Sequence, residues 1–280
     1  MRRPEGFDGN RLRSIVWFHT ISRKSDLIEG ERPSTMSDIA SETVSSAIRE
    51  LVDANHILFD QGVVDGFGHV SQRHPVRPDH FLLARSMAPA LVTAQDLLAF
   101  DLDAAPIEAG GPAVYLERFI HSEIYRRRPD VVAIVHSHSP AVVPFSVVSG
   151  TRLRPVCHMC GFLGAATPVF EIRDVAGPGS DLLIRDARLG AALAQSLGQG
   201  AAVLMRGHGS TVVGSTLRQA VFRAVYTEIG ARLQSEAMRL GPVTYLTEDE
   251  AVATAKTNDG QIDRAWLLWL KAAHSRSMAT

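Results

Sequence analysis

Strong charge of either sign is missing from this chain of 280 residues: 29 Lys and Arg stand against 30 Asp and Glu, a formal net charge of −1. Without a basic footprint, nucleic-acid binding and attachment to an anionic membrane are not expected. Cysteine is scarce as well. Cys157 and Cys160 are the 2 in the chain, too few for a disulfide framework. The longest apolar runs are strand-length, well short of the ~20 residues that a membrane span needs. The patch Ser14-Ile15-Val16-Trp17-Phe18 is too short for a secretory signal, and Glu5, Asp8 and Asp26 argue against a transit peptide. What remains is a cytoplasmic globular enzyme, whose 45% apolar content can fill one large domain or two small ones.

The pattern along the chain predicts an N-terminal extension over residues 1–36, poorly ordered, and a single domain over 37–280. From Ser37 the stripe Ile39, Val44, Ile48, Leu51 and Val52 predicts a helix capped by Ser37 or Asp38. Strands are expected over Phe67–Arg73, His80–Ala84, Val131–His138, Leu182–Ile184 and Ala201–Met205. Helices are expected over Ala94–Ala99, Ala113–Arg128 and Asp186–Ser196, and after Ser139-Pro140, read as N-cap and first-turn proline. Thr216 to Gln219 reads as a capping box opening a long amphipathic helix, and a last helix carries Ile262, Ala265, Trp266, Trp269 and Leu270. Alternating strands and helices imply an α/β fold, helices layered over a central sheet.

Histidine is plentiful, with 11 in the chain, and two of them close a buried-strand run as His136-Ser137-His138. In a strand, side chains two apart point to one face, so these imidazoles sit about 7 Å apart at the backbone and can converge on one cation. Chance alone gives roughly 0.4 such pairs at this composition, so the pair needs company. His208, between two glycines at a strand end, supplies a third imidazole, leaving positions open for water or substrate on a catalytic ion. Glu117 is read as either a solvated helix carboxylate or a proton shuttle whose pKa partial burial lifts toward neutrality. Phe67, His69, Ser71 and Arg73 alternate, so their face either meets solvent or lines a wall that holds an anion; Arg85-Ser86 is a second candidate holder. Cys157-His158-Met159-Cys160 has metal-like spacing but no second pair, and reads as a turn whose His158 can face the pocket.

Taken together, Gly68-His69-Val70-Ser71, Glu117-x-x-x-His121-x-x-x-Tyr125, Arg128-Pro129-Asp130, His136-x-His138 and Gly207-His208-Gly209 resemble the class II aldolase/adducin family over about residues 38–245. The resemblance implies a three-layer α/β/α sandwich around a mostly antiparallel sheet, assembled as a homotetramer. It implies that His136, His138 and His208 bind one divalent metal ion, Zn2+, Mn2+ or Mg2+, and that Glu117 is the catalytic acid/base. Sugar-phosphate aldolases of the family have Gly-Asn where this chain has Gly68-His69, and Ser-Ser where it has Tyr115-Leu116. Phe170 lies near the place of their product-protonating tyrosine, so a phosphosugar substrate is disfavoured.

His-Val-Ser-x-Arg, Ala-Arg-Ser-Met-Ala-Pro and Pro-Val-Cys-His-Met instead resemble a subgroup that decarboxylates hydroxylated aromatic or pyridine dicarboxylates. The expectation is a metal-dependent, non-oxidative decarboxylase acting on a small anionic substrate. His69, Ser71, Arg73, Arg85, Ser86 and His158 would anchor it, and Tyr115 would pack on its ring. The alternatives are an aldolase cleaving a non-phosphorylated hydroxy-keto acid and a non-catalytic adducin-like module.

Overall fold

A computed structural model describes residues 36–108 and 110–277; the extension expected over 1–36 lies outside them, save Met36. Among the described residues seven strands form one sheet: β1 (His69–Arg73), β2 (His80–Ala84), β3 (Leu97–Asp101), β4 (Ala133–Ser137), β5 (Val169–Phe170), β6 (Ala202–Met205) and β7 (Gly209–Gly214). Their order is β3-β2-β1-β4-β7-β6-β5, antiparallel throughout except for the parallel β5–β6 edge. The helices are α1 (Met36–Asp60), α2 (Arg118–Arg127), α3 (Val143–Val147), α4 (Arg173–Ala176), α5 (Ala187–Leu197), α6 (Leu217–Leu240), α7 (Glu248–Asp259) and α8 (Ile262–Ser277).

Period-two alternation along the central strands builds two cores from one sheet. Ala133 and Val135 of β4, Leu204 of β6 and Val212 of β7 face Leu51 of α1, Val221 of α6 and Trp266 of α8. Ile134, Val203, Met205 and Val213, one residue out of step, face Ile120 and Ile124 of α2 and Leu189 and Leu193 of α5. The result is the expected α/β/α sandwich, with each face covered by helices. Among the described residues no helix is long and apolar enough to cross a membrane.

Register brings the chemistry to one end of the sheet. His69, the first residue of β1, pairs with His136 of β4, and Ser137 pairs with Ser210 at the start of β7. The β6–β7 turn carrying His208 therefore abuts the chain leaving β4. Gly68 permits the entry to β1: its φ is +92°, and a Cβ there would stand 2.7 Å from Val64 and 3.0 Å from the His136 carbonyl.

Several expected elements take other forms. Residues 94–99 are not a helix: Ala94–Asp96 makes one 3-10 turn, and Leu97 onward forms β3, because the open edge of β2 offers it a partner. Helix α2 begins at Arg118 instead of Ala113, since the preceding segment is tied to the opposite wall by Ser86 N–H donating to the Ala113 carbonyl. Ser37 and Asp38 lie within the helical residues of α1 instead of at a cap preceding it. Ser139 caps no helix; its hydroxyl donates to buried Glu228 of α6, and α3 starts only at Val143. Leu182–Ile184 is irregular. Thr216 does cap α6, accepting from Gln219 N–H at 3.1 Å, but the Gln219 side chain turns to Ser215, so half the capping box forms.

Candidate metal centre

Four side chains converge at that sheet end. Ligand atoms of Glu117, His136, His138 and His208 all lie within 4.8 Å of one another. His138 Nε2 stands 3.0 Å from His208 Nε2, while Glu117 Oε2 stands 3.5 Å from His136 Nε2 and 3.4 Å from His208 Nε2. Each element contributes through its backbone geometry: β4 gives His136, the residue after its end gives His138, and the β6–β7 turn gives His208. Glu117 is the N-cap residue of α2, one turn before His121, and its Oε1 accepts from Ile184 N–H at 2.9 Å.

Backbone carbonyls fix the histidine tautomers. A carbonyl only accepts, so His136 Nδ1–H donates to Ser210 at 3.1 Å and His208 Nδ1–H donates to Leu182 at 2.9 Å. In the neutral rings both Nε2 atoms are then bare lone pairs that face the cluster. His136 is fully buried, and its Nε2 has no hydrogen-bond partner. Bare nitrogens, one of them orphaned in the interior beside a carboxylate, repel unless a cation lies among them. The donor set therefore fits a divalent metal ion, with carbonyl-oriented imidazoles of the kind such sites use. Leu182 holds a φ of +70°, a cost for a branched side chain that is borne where its carbonyl orients His208.

Electrostatics correct one expectation. Burial alone pushes the Glu117 carboxyl up, but His136 and His208 beside it pull further down, so the group sits well below the usual carboxylate range. The shift runs opposite to the rise toward neutrality expected from partial burial alone. Burial, with repulsion from His136 and His208, pushes His138 down to about 4. His208 goes the other way: burial lowers it, yet the Glu117 contact raises it above the ordinary value.

A cavity of about 410 Å3 opens over the cluster. His69, Ser86, Glu117, His136 and His138 form its polar end, and Phe67, Met87, Tyr115, Leu116 and Leu183 its apolar walls. The Tyr115 hydroxyl donates to the Met87 carbonyl at 2.5 Å, which turns its ring against His69 with centroids 4.6 Å apart. Burial raises the Tyr115 pKa, keeping the phenol neutral. Phe67 lies outside β1, 69% exposed, with its ring 6.2 Å from that of His138.

The other expected anchors are elsewhere. Arg73 shares the strand face of His69 and Ser71, but its guanidinium donates to the carbonyls of Val131, Pro78, Tyr125 and Arg128. Arg85 pairs with Asp96 at 2.7 Å. Ser71 is fully buried behind His69, bonded to His121 and Tyr125. His158 is exposed on the turn that packs against α6 and α7, and free Cys157 and Cys160 stand 3.3 Å apart there. The orienting carbonyls of Ser210 and Leu182 and the N–H of Ile184 escaped sequence reading because backbone groups leave no residue signature; His121 carried one signal, its i, i+4 spacing from Glu117.

Comparison with known proteins agrees with this fold. The class II aldolase and adducin N-terminal domain family matches residues 49–235. The chain is 38% identical to decarboxylase tropJ of Talaromyces stipitatus over 259 residues, 84% of this chain and 97% of that one. It is 31% identical to the 3,4-dihydroxyphthalate decarboxylase of a Terrabacter species over 211 residues, 70% of this chain and 83% of that one. Among solved structures, L-fuculose 1-phosphate aldolase from Glaciozyma antarctica superposes with a TM-score of 0.69 at 25% identity, covering 89% of this chain and 96% of that one.

Proposed function

The chain belongs to the class II aldolase and adducin N-terminal domain family and is a carbon–carbon lyase; from that premise we propose that it removes carbon dioxide, without oxidation, from a hydroxylated aromatic or heteroaromatic carboxylate. The observation that carries the reading is the convergence of three imidazoles and Glu117 within 4.8 Å under a cavity with apolar walls. His136, His138 and His208 would hold one divalent ion; their nitrogen set suits zinc, while the family resemblance also points to manganese or magnesium. Bound there, the ion supplies positive charge against the electron density that a departing carboxylate leaves on the ring.

The residues do the rest. Tyr115, Phe67 and Leu183 line the cavity with apolar surface against which a flat ring would pack. Glu117, ionised and anchored by Ile184 N–H, takes the proton of the hydroxyl next to the scissile carboxylate. The bond to the carboxylate carbon breaks with its electron pair left on the ring, and Glu117 returns the proton to that ring carbon. One hydroxy-carboxylate becomes one phenolate and one carbon dioxide, with atoms and charge conserved.

The two decarboxylase-named relatives favour carbon dioxide over an aldehyde as the departing electrophile. The test is a headspace and product assay on protein of measured metal content, over hydroxylated benzoates, phthalates and pyridine carboxylates. Stoichiometric carbon dioxide with the ring intact is the expected result. Aldehyde release from a hydroxy-keto acid, with no gas from any aromatic acid, would replace this reading with retro-aldol cleavage.

A further inference from the structure

The hydrogen bonds behind His69 extend well past the metal centre. His69 Nδ1 lies 2.6 Å from His121 Nε2, and His121 Nδ1 lies 2.6 Å from Ser71 Oγ. Ser71 Oγ lies 2.8 Å from the Tyr125 hydroxyl, which in turn donates to the Val132 carbonyl at 3.3 Å. His69, Ser71, His121 and Tyr125 are 4%, 0%, 0% and 1% exposed, so water does not supply alternative partners. Such a chain has one proton per link, and its direction is set by whichever end can only accept.

That end is the Val132 carbonyl. Tyr125 sends its proton there, so Ser71 donates to the Tyr125 oxygen, and the Ser71 oxygen accepts from His121 Nδ1–H. His121 Nε2 is then bare and accepts from His69 Nδ1–H. The remaining nitrogen of His69, on the ring that lines the cavity between Tyr115 and His136, carries no hydrogen. We propose that Tyr125, Ser71 and His121 are positioning residues that lock His69 as an acceptor, so that its Nε2 receives the hydrogen of a substrate hydroxyl. The role given to Nε2 rests on the decarboxylase reading; the tautomer does not. It also means that the cavity selects for a hydroxyl at His69, because a bare imidazole nitrogen there would repel a carboxylate.

The test is nitrogen NMR of the zinc-loaded protein with 15N-histidine, the His69 signals assigned by their loss in His69→Asn. Wild type is expected to show the Nδ1–H form. Tyr125→Phe removes only the hydroxyl; Ser71 then turns its proton to His121 Nδ1, His121 donates to His69, and His69 appears in the Nε2–H form. In a Ser71→Ala background the link is already cut, so Tyr125→Phe produces no further change, which a packing role for the phenol would not predict. A wild-type Nε2–H ring, or a ring unmoved by Tyr125→Phe, overturns the proposal. With a hydroxybenzoate that wild type turns over, the inverted ring should lower kcat roughly tenfold to a hundredfold and change KM less than threefold. An inverted ring with kcat unchanged overturns the acceptor role of Nε2, whereas the predicted tautomers in a protein that decarboxylates nothing count against the decarboxylase reading alone.

Discussion

Glu117 Oε2 and His208 Nε2 face each other across 3.4 Å, each held from behind by a backbone group: Ile184 N–H on the carboxylate and the Leu182 carbonyl on the imidazole. One irregular stretch, Leu182 to Ile184, thereby aims both an imidazole and a carboxylate at the same point. The distance is too long for a good hydrogen bond and too short for indifference, the spacing expected of two groups arranged about a third.

Glu117→Gln keeps the shape and an oxygen for Ile184 N–H but removes the charge and the proton-carrying role. Metal content should stay close to stoichiometric, because three imidazoles remain, while kcat falls roughly 10²- to 10⁴-fold. Elemental analysis beside steady-state kinetics checks both halves. Near-normal turnover would take Glu117 out of the chemistry.

Acid should unfold this protein early, for a reason visible in three rings. Burial first, then neighbouring histidines, push His69 well below its ordinary value, His121 down to about 3 and His138 down to about 4. Their folded pKa values lie under the unfolded one, so below about pH 6.5 the unfolded chain takes up protons that the folded chain refuses. Stability is therefore full above pH 6.5 and declines as pH falls toward 3–4, by up to about 1.4 kcal/mol per pH unit for each of the buried rings His69 and His121 and by less for the partly exposed His138. Raised His208 acts in the opposite sense, gaining for the folded state at low pH, but it is one ring against three. Urea midpoints at pH 7.5 and pH 5 should show the drop; equal midpoints would contradict it.

Much of this was legible in the sequence where side-chain chemistry repeats at a structural period. The convergence of His136, His138 and His208 and the strands at His80–Ala84 and Ala202–Met205 follow the sequence pattern, because strand period and glycine conformational freedom are local properties, whereas Leu182–Ile184, read as a strand, is irregular. The failures share a cause. Residues 97–99 joined a sheet edge that only the folded β2 supplies, and Ser139 abandoned capping for Glu228 on a helix 89 positions away. Arg73 sits on the predicted face, yet the Arg128 and Val131 carbonyls reach it first.

That last point yields its own test. Arg73 serves four backbone carbonyls and stacks on the Tyr125 ring at 4.7 Å, so its loss strands acceptors without touching the cavity. Arg73→Ala should cost about 1–3 kcal/mol of stability and leave KM for the carboxylate substrate within twofold. A KM rise of tenfold or more at retained stability would restore Arg73 as an anion holder.

The tightest point in the metal centre is Gly209, beside His208 in the turn. A Cβ there would collide with the Ser137 carbonyl oxygen and stand 3.0 Å from His138 Cα. Neither atom belongs to a flexible side chain, so β7 would have to withdraw from β4, which carries His136 and leads directly into His138. Gly209 has no positive φ requirement, which separates this steric demand from backbone strain. Gly209→Ala should therefore lose metal and activity together while the helices remain, measurable as substoichiometric zinc with near-native far-UV circular dichroism. Gly177→Ala supplies the contrast: its φ is +81° but nothing stands within 4 Å of the added atom. It should lower the melting temperature by a few degrees through backbone strain alone and leave metal content unchanged. Equal metal retention in the two variants would show that close approach at Gly209 does not hold the imidazoles in place.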